Sequence, residues 1–298
     1  MKKTLFSLLS LSLLSISAFS NGKAKTLQRK IENIAKERNA TVGINVTDSK
    51  GKTLASINGN RRFPLQSVFK FHIGLAMLSE IDKGKFTLDQ KITITKDELL
   101  PGLYSPLRDE NPNGGEFTIA QLLQGAISAS DNVACDVLLK LLGGAPNVEK
   151  YLVLNGFKNL SIKLNEEVQQ SKWELQFDNW ITPNTSNKIL MSYFDNRNNL
   201  LSTESHKFLW DTMRGTETGA NRLKGLLPSG TVVAHKTGTS GKNDATGIRA
   251  AVNDIGVVFL PNGEHFFISV YVTDSKEDMD TNEKIIADIS KAAWDFFI

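Results

Sequence analysis

Hydrophobic and polar positions change their spacing twice along the chain. Residues 41–58 alternate on either side of the turn Ser49–Gly51, which predicts a β-hairpin after a short amphipathic helix. Residues 67–211 instead carry apolar positions at helical spacing, in segments that end at glycines. Alternating runs return after residue 229 with a hairpin turn at Pro261–Gly263, and a last helical pattern covers Met279–Ile298.

This order predicts an α/β fold in which an antiparallel sheet is flanked by helices and carries an inserted all-α lobe. Residues 21–66 and 212–298 should form the α/β lobe, and residues 67–211 the all-α lobe. Clefts between lobes are favoured places for ligands. We therefore expect the reactive residues to face such a cleft.

The first twenty residues have the features of a signal peptide. Lys2 and Lys3 precede an apolar run from Leu5 to Ile16, and small residues stand at positions 18 and 20. The run is short and interleaved with serines, so we expect cleavage before Asn21 rather than stable membrane association. The mature chain is expected in the periplasm.

Composition narrows the function further. A hydrophobic content of 40% can fill a sizeable core, and a net charge of +3 without a basic stripe argues against binding to nucleic acid. The single cysteine, Cys135, lies in an apolar helical run, where packing is a better explanation than catalysis. The four histidines show no metal-ligand spacing, so we expect neither a metal nor a cofactor.

Lys70 stands three positions after Ser67 at the start of an apolar helical run, which brings the two side chains to one helical face. A serine becomes a good nucleophile when a neighbouring base removes its proton. Lys70 can be that base if burial and a second cation, such as Lys236, lower its pKa. The alternative is an exposed lysine on a surface turn.

Three short segments stand in a characteristic order: Ser67–Lys70, Ser130–Asn132 and Lys236–Gly238. Each is weak alone, but together they match the Ser-x-x-Lys, Ser-Asp-Asn and Lys-Thr-Gly elements of penicillin-recognising serine enzymes. The mature chain resembles a class A serine β-lactamase of the extended-spectrum branch. This resemblance implies the fold shared by β-lactamases and penicillin-binding proteins.

The resemblance assigns roles to the second and third segments. Ser130 would relay a proton to the leaving nitrogen and Asn132 would bind the acylamino group of the substrate, although Ser130 or Asp131 could simply cap a helix. Gly238 would let the substrate approach the strand, and the backbone N–H of Thr239 would be the second oxyanion donor after that of Ser67. The substrate carboxylate would be held by Lys236, Thr237 and Ser240. A strand edge that binds no ligand is the alternative.

Deacylation needs a base for the attacking water, and the family uses a loop glutamate. Glu166 stands 36 positions after Ser130 and 13 before Asn179, which fits this role better than Glu167; a solvated acidic pair is the alternative. The loop departs from the family pattern in four places. Gln169 and Gln170 replace a leucine and an asparagine, and Leu164 and Asn179 replace an arginine–aspartate bridge.

Four positions concern the substrate. Thr246 occupies the expected place of a carboxylate-binding arginine, and Arg222 is the candidate substitute, with a surface role as the alternative. Tyr104 matches an aromatic residue beside the cleft, although it could also be a core tyrosine. We also expect Gln170 to contact the substrate. An altered loop of this kind implies room for bulky oxyimino cephalosporins.

We therefore predict a serine β-lactamase (EC 3.5.2.6) that opens penicillins and cephalosporins through an acyl-enzyme on Ser67, with deacylation by Glu166, and so confers antibiotic resistance. The acylation base stays open between Lys70 and Glu166. The alternatives are a D-Ala-D-Ala peptidase and a β-lactam receptor that stays acylated. We expect a monomer whose partners are small-molecule β-lactams.

Overall fold

The computed structural model describes residues 22–36 and 38–298, so the predicted signal peptide at residues 1–20 lies outside the described residues. The helices are α1 (residues 22–36), α2 (Phe69–Asp82), α3 (Pro106–Glu110), α4 (Ile119–Ile127), α5 (Asn132–Leu141), α6 (Ala145–Leu154), α7 (Glu166–Ser171), α8 (Pro183–Phe194), α9 (Thr203–Arg214) and α10 (Met279–Phe297). The strands are β1 (Thr41–Asp48), β2 (Thr53–Ile57), β3 (Phe63–Pro64), β4 (Lys91–Thr95), β5 (Gly114–Thr118), β6 (Leu160–Ser161), β7 (Trp180–Ile181), β8 (Val233–Thr239), β9 (Val252–Phe259) and β10 (His265–Thr273). Among these described helices, none combines the length and apolarity that a membrane crossing requires.

The main sheet is built from both ends of the chain, as the pattern predicted. Its five strands run antiparallel in the order β2-β1-β10-β9-β8. The predicted turn between β9 and β10 forms, and Gly263 adopts a φ of +82° there, which favours glycine. Apolar residues of α1 and α10 pack on one face of the sheet, and α8 covers the other. Strand β8 is therefore a sheet edge beside the helical part of the chain.

The inserted part is mainly helical and is organised around α2. Residues Phe69–Ser79 of this helix are all buried, because the other helices surround it. Two small sheets also occur, the antiparallel pair β4-β5 and the sheet β3-β7-β6, and all of their strands except β3 lie in the segment predicted to be wholly helical. That prediction was wrong for these strands because short strands of two to five residues leave little periodicity. The proposed domain boundaries remain predictions.

A cleft runs between β8 and the helical part. Its floor is the short 3-10 helix Gln66–Val68, which leads into α2. The backbone of this segment comes so close to β8 that a Cβ at Gly238 would lie 2.6 Å from the carbonyl oxygen of Leu65. Glycine at position 238 therefore allows the sheet edge and the start of α2 to meet.

Candidate active site

Most of the predicted site residues line one cleft of about 530 Å³. The predicted residues along its wall are Ser67, Tyr104, Ser130, Asn132, Glu166, Gln170, Arg222, Thr237, Gly238, Thr239 and Ser240. Lys70 and Lys236 are absent from the wall because both are fully buried directly behind it. Residues from α2, α5, α7 and β8 therefore converge, although they are far apart in sequence.

Lys70 is buried at the centre of this cluster. Its Nζ lies 3.0 Å from Ser67 Oγ and 2.9 Å from Glu166 Oε1. It also donates to the carbonyl oxygen of Ser130 at 2.8 Å and to Asn132 Oδ1 at 2.5 Å. The exposed lysine considered as the alternative is thus wrong. The ammonium is compensated by a buried carboxylate while it contacts the candidate nucleophile.

The hydroxyl of Ser130 contacts Lys236, the second buried lysine behind the cleft wall. Lys236 Nζ donates to Ser130 Oγ at 2.9 Å, and burial, followed by the positive charge of Lys70, holds the pKa of Lys236 well below its usual range. Ser130 has a φ of +63°, an uncommon conformation for a residue with a side chain. The backbone therefore turns sharply here, which aims the Ser130 carbonyl at Lys70 and its hydroxyl at Lys236.

Asp131 is the N-cap of α5. Helix capping is the alternative that the sequence allows for Ser130 or Asp131. Its carboxylate accepts from the backbone N–H of Ala134 at 2.8 Å and of Leu107 at 2.7 Å. The hydroxyl of Ser105 donates to the same carboxylate at 2.9 Å. Asp131 thus ties α5 to the segment that carries Tyr104.

The two neighbouring glutamates have opposite environments. Glu166 is 1% exposed and its Oε1 accepts from Ser67 Oγ at 3.3 Å, whereas Glu167 is exposed. Gln170 donates to Glu166 Oε2 at 2.8 Å from one turn further along α7. Asp136 fixes the start of this helix by accepting from the backbone N–H groups of both glutamates, at 2.8 and 3.0 Å.

The loop that carries Glu166 is closed by amide side chains. Asn179 Oδ1 accepts from the backbone N–H of Lys163 and Leu164 at 2.8 and 3.0 Å. Asn179 Nδ2 donates to Gln169 Oε1 at 2.9 Å, and Gln169 Nε2 donates to Gln66 Oε1 at 3.3 Å. These contacts form a neutral chain from the neck of the loop to the neighbour of Ser67. They stand where the family has an ion pair.

The end of β8 is supported by Arg222, which is buried rather than a surface residue. Its guanidinium donates to the carbonyl oxygen of Gly238 at 3.2 Å and to Thr239 Oγ1 at 2.7 Å, and it pairs with Glu283 at 3.1 Å. Thr246, which we expected in the place of the family arginine, lies exposed in the loop between β8 and β9.

Tyr104 is 58% exposed at the mouth of the cleft, so the core alternative is wrong. Sequence reasoning missed three other residues. Thr218 and Gln176 line the cleft, and Thr218 Oγ1 lies 2.5 Å from Thr237 Oγ1. Asp136 could have been suspected from its position four residues after Asn132, which places both on one helical face. Nothing in the sequence around Thr218 or Gln176 indicated a role.

The described residues contain no group of three or more His, Cys, Asp or Glu side chains that could hold a metal ion. Cys135 is fully buried, and burial raises the pKa of its thiol well above the usual value. Among the hydroxyls that line the cleft, that of Ser67 contacts both Lys70 Nζ, at 3.0 Å, and Glu166 Oε1, at 3.3 Å.

Replacing Asp136 with asparagine should change how stability depends on pH. Burial raises the pKa of Asp136 from 3.8 to about 6 despite the hydrogen bonds from the backbone of Glu166 and Glu167. The folded chain therefore binds this proton more tightly than the unfolded chain, so the contribution of Asp136 to the unfolding free energy falls as the pH rises from about 4 to about 6. Urea unfolding at several pH values should show that the wild type loses on the order of 2 kcal/mol relative to Asp136→Asn across this window. Glu167→Gln is the exposed control, and a constant difference between wild type and Asp136→Asn would contradict the prediction.

Known proteins share both the sequence and the geometry of this chain. A model of the β-lactamase enzyme family matches residues 26–297. β-Lactamase VEB-1 of Pseudomonas aeruginosa is 50% identical over 97% of this chain and 96% of its own length. The extended-spectrum β-lactamase PER-1 of the same organism is 38% identical over 96% of this chain and 92% of its own length.

Solved structures agree with these relatives. The crystal structure of TLA-1, an extended-spectrum β-lactamase, superposes with a TM-score of 0.88 at 44% identity and covers 92% of this chain and 99% of that one. An ancestral class A β-lactamase gives a TM-score of 0.79 at 30% identity over 89% of this chain and 98% of its own. These matches confirm the predicted fold. The chain belongs to the β-lactamase enzyme family, and it is a class A serine β-lactamase.

Proposed function

We propose that the enzyme opens the β-lactam ring by attack of Ser67 Oγ on the ring carbonyl carbon. The observation that carries this proposal is the contact of 3.0 Å between Lys70 Nζ and Ser67 Oγ, next to the buried Glu166 carboxylate. The serine proton passes to one of these two groups as the C–O bond forms. The ring C–N bond then breaks as Ser130 donates its proton to the nitrogen, and the proton taken from Ser67 replaces the one that Ser130 has given.

The negative charge on the carbonyl oxygen needs donors that are already in place. We assign this task to the backbone N–H groups of Ser67 and Thr239, two residues that line the cleft. The substrate carboxylate would bind near Lys236, Thr237 and Ser240, with Arg222 adding a second positive charge. A β-lactam lying along β8 in this way brings its acylamino group to Asn132.

Water completes the reaction by attacking the ester carbonyl carbon of the acyl-enzyme. Glu166 takes a proton from this water, and the ester C–O bond breaks as a proton returns to Ser67 Oγ, which restores the serine hydroxyl and the Glu166 carboxylate. Gln170 holds the Glu166 carboxylate through its hydrogen bond of 2.8 Å and lines the cleft, so it is suited to position the water as well. A D-Ala-D-Ala peptidase or a β-lactam receptor does not require this glutamate.

The substrate range is proposed to include oxyimino cephalosporins. Support comes from the neutral closure of the loop by Gln169 and Asn179, and from the cleft space between Gln176 and Ser240. PER-1 and TLA-1 are both named extended-spectrum enzymes. We also propose export to the periplasm, on the basis of residues 1–20.

Replacing Glu166 should separate the two halves of the reaction. In Glu166→Gln, the acyl-enzyme should form and persist, because the water loses its base while Lys70 keeps a hydrogen-bond partner. Steady-state hydrolysis should fall by on the order of 100-fold or more. Intact-mass spectra should show the covalent adduct during turnover.

Two variants control this experiment. Glu167→Gln removes an exposed carboxylate and should keep nearly full activity, whereas Ser67→Ala should form no adduct with any β-lactam. Rapid turnover by Glu166→Gln, or a larger loss in Glu167→Gln, would show that Glu166 is not the base.

Substrate range can be measured directly on the purified mature chain. We expect hydrolysis of a penicillin, a chromogenic cephalosporin and an oxyimino cephalosporin, with the last rate well above the uncatalysed rate. Hydrolysis of the first two without the third would limit the enzyme to narrower substrates.

Export can be checked by expressing the full chain and sequencing its mature N-terminus. The mature protein should be found in the periplasmic fraction and should begin at Asn21. A chain that keeps Met1 and stays with the cytoplasmic fraction would contradict the proposal.

A further inference from the structure

The segment that carries Arg222 has neither a helix nor a strand of its own. It connects α9 to β8 through a series of turns over residues 215–232. From this segment the guanidinium of Arg222 reaches the end of β8, where it donates to the carbonyl oxygen of Gly238 and to Thr239 Oγ1. The direction of the guanidinium therefore depends on the groups outside the segment that fix the backbone around Arg222.

The side chain of Asp254, on β9, fixes this backbone. Asp254 is fully buried, and its Oδ2 accepts from the backbone N–H of Leu223 at 3.2 Å. The guanidinium of Arg222 donates to the carbonyl oxygen of Asn253 at 3.0 Å. Two consecutive residues of the segment are thus bound to two consecutive residues of β9. A displacement of Leu223 would therefore move Arg222 as well.

His235, on β8, supplies a donor that the buried carboxylate of Asp254 needs, because a carboxylate taken out of water is costly unless it is hydrogen-bonded. His235 is also fully buried, and its Nδ1 lies 2.9 and 3.0 Å from the two oxygens of Asp254. A ring nitrogen that faces a carboxylate at this distance carries a proton. The other ring nitrogen, Nε2, is buried and has no hydrogen-bond partner among the residues that the structure describes. The imidazole therefore acts on the chain through Nδ1.

The main sheet has room for this pair. Asp254 is the cross-strand partner of Thr237, and Gly256 is that of His235. A Cβ at Gly256 would lie 2.8 Å from the Cβ of His235, so glycine at this position leaves space for the imidazole. His235 and Thr237 share one face of β8, whereas Lys236 belongs to the other. Neither His235 nor Asp254 lines the cleft, so the pair acts on substrate only through other residues.

The charge of Asp254 also acts on the lysine of β8. Burial and the positive charge of Lys70 lower the pKa of Lys236, whereas the carboxylates of Glu166 and Asp254 oppose that shift. Asp254 thus favours the ammonium form of Lys236, which is the form that binds a carboxylate.

We propose that His235 and Asp254 are positioning residues for substrate binding: the pair holds the backbone at Leu223 and so keeps the Arg222 guanidinium directed at the substrate carboxylate. This inference rests on the proposed binding of that carboxylate beside Arg222. The carboxylate is present before and during the reaction. Loss of the pair should therefore weaken binding of the substrate and of the transition state alike, which raises KM and leaves kcat nearly unchanged.

The test measures kcat and KM for a chromogenic cephalosporin and for the methyl ester of its ring carboxylate. In Asp254→Asn, one oxygen remains for two donors, the His235 ring and the Leu223 backbone. The ratio of kcat/KM for the acid to kcat/KM for the ester should therefore fall about 10-fold, mainly through a higher KM for the acid. Arg222→Gln should lower the ratio at least as far. Adding Asp254→Asn to Arg222→Gln should cause no further fall, because both changes act through one guanidinium.

Two variants of His235 test the pair even if Asp254→Asn does not fold. His235→Asn can place its amide nitrogen where Nδ1 stands and should keep most of the ratio. His235→Val has no donor and should lower the ratio toward that of Asp254→Asn. Asp82→Asn is the matched control, since Asp82 also accepts from a backbone N–H, that of Ser202 at 2.7 Å, but lies at the far end of α2 from the cleft. It should leave the ratio unchanged.

The outcomes separate this inference from the proposed function. If Arg222→Gln lowers the ratio but Asp254→Asn and His235→Val do not, the inference alone is wrong. An equal fall in kcat for both compounds, or a further fall of the ratio in the double variant, would also overturn it, because the pair would then only support the sheet. If the wild type hydrolyses the acid and the ester with equal kcat/KM, the proposed carboxylate site fails and the inference fails with it.

Discussion

The buried ion pair between Lys70 and Glu166 is the interaction on which the rest of the site depends. Moving either charge out of water alone would be costly, and removing one partner of such a pair typically costs about 3–5 kcal/mol. The fold meets this constraint by giving each group further hydrogen bonds, from Ser67, Ser130 and Asn132 around the ammonium and from Gln170 at the carboxylate. The same arrangement keeps both groups next to the nucleophile, so stability and reactivity have one structural cause.

Each wall of the cleft places one part of this charged centre. Helix α5 begins with Asn132 and carries Asp136 one turn later, so a single helix contacts Lys70 and also fixes the backbone of Glu166. Strand β8 brings Lys236 to Ser130 from the opposite side. The centre thus brings the amines of Lys70 and Lys236 together with the carboxylate of Glu166 before substrate arrives. Arg222 adds a guanidinium at the end of β8, which favours an anionic β-lactam in the cleft.

The motifs and the sheet were predictable because their signals are local or periodic. Ser67 and Lys70 lie one helical turn apart, and the spacing of Glu166 from Ser130 selected the glutamate that the structure buries. The closure of the loop was not predictable, because the pairing of Asn179 with Gln169 depends on backbone paths that residue types do not specify. Thr246 lies exposed in the connection formed by residues 240–251, whereas Arg222 is buried against the end of β8.

The inert state of Cys135 has a practical consequence. The chain has one thiol, and it is enclosed in the core between α5 and its neighbours, with its thiolate form disfavoured by burial. A cysteine introduced on the loop around Gln176 would therefore be the single accessible thiol among the described residues, so a fluorescent or spin label could report loop motion during turnover without any other change to the enzyme.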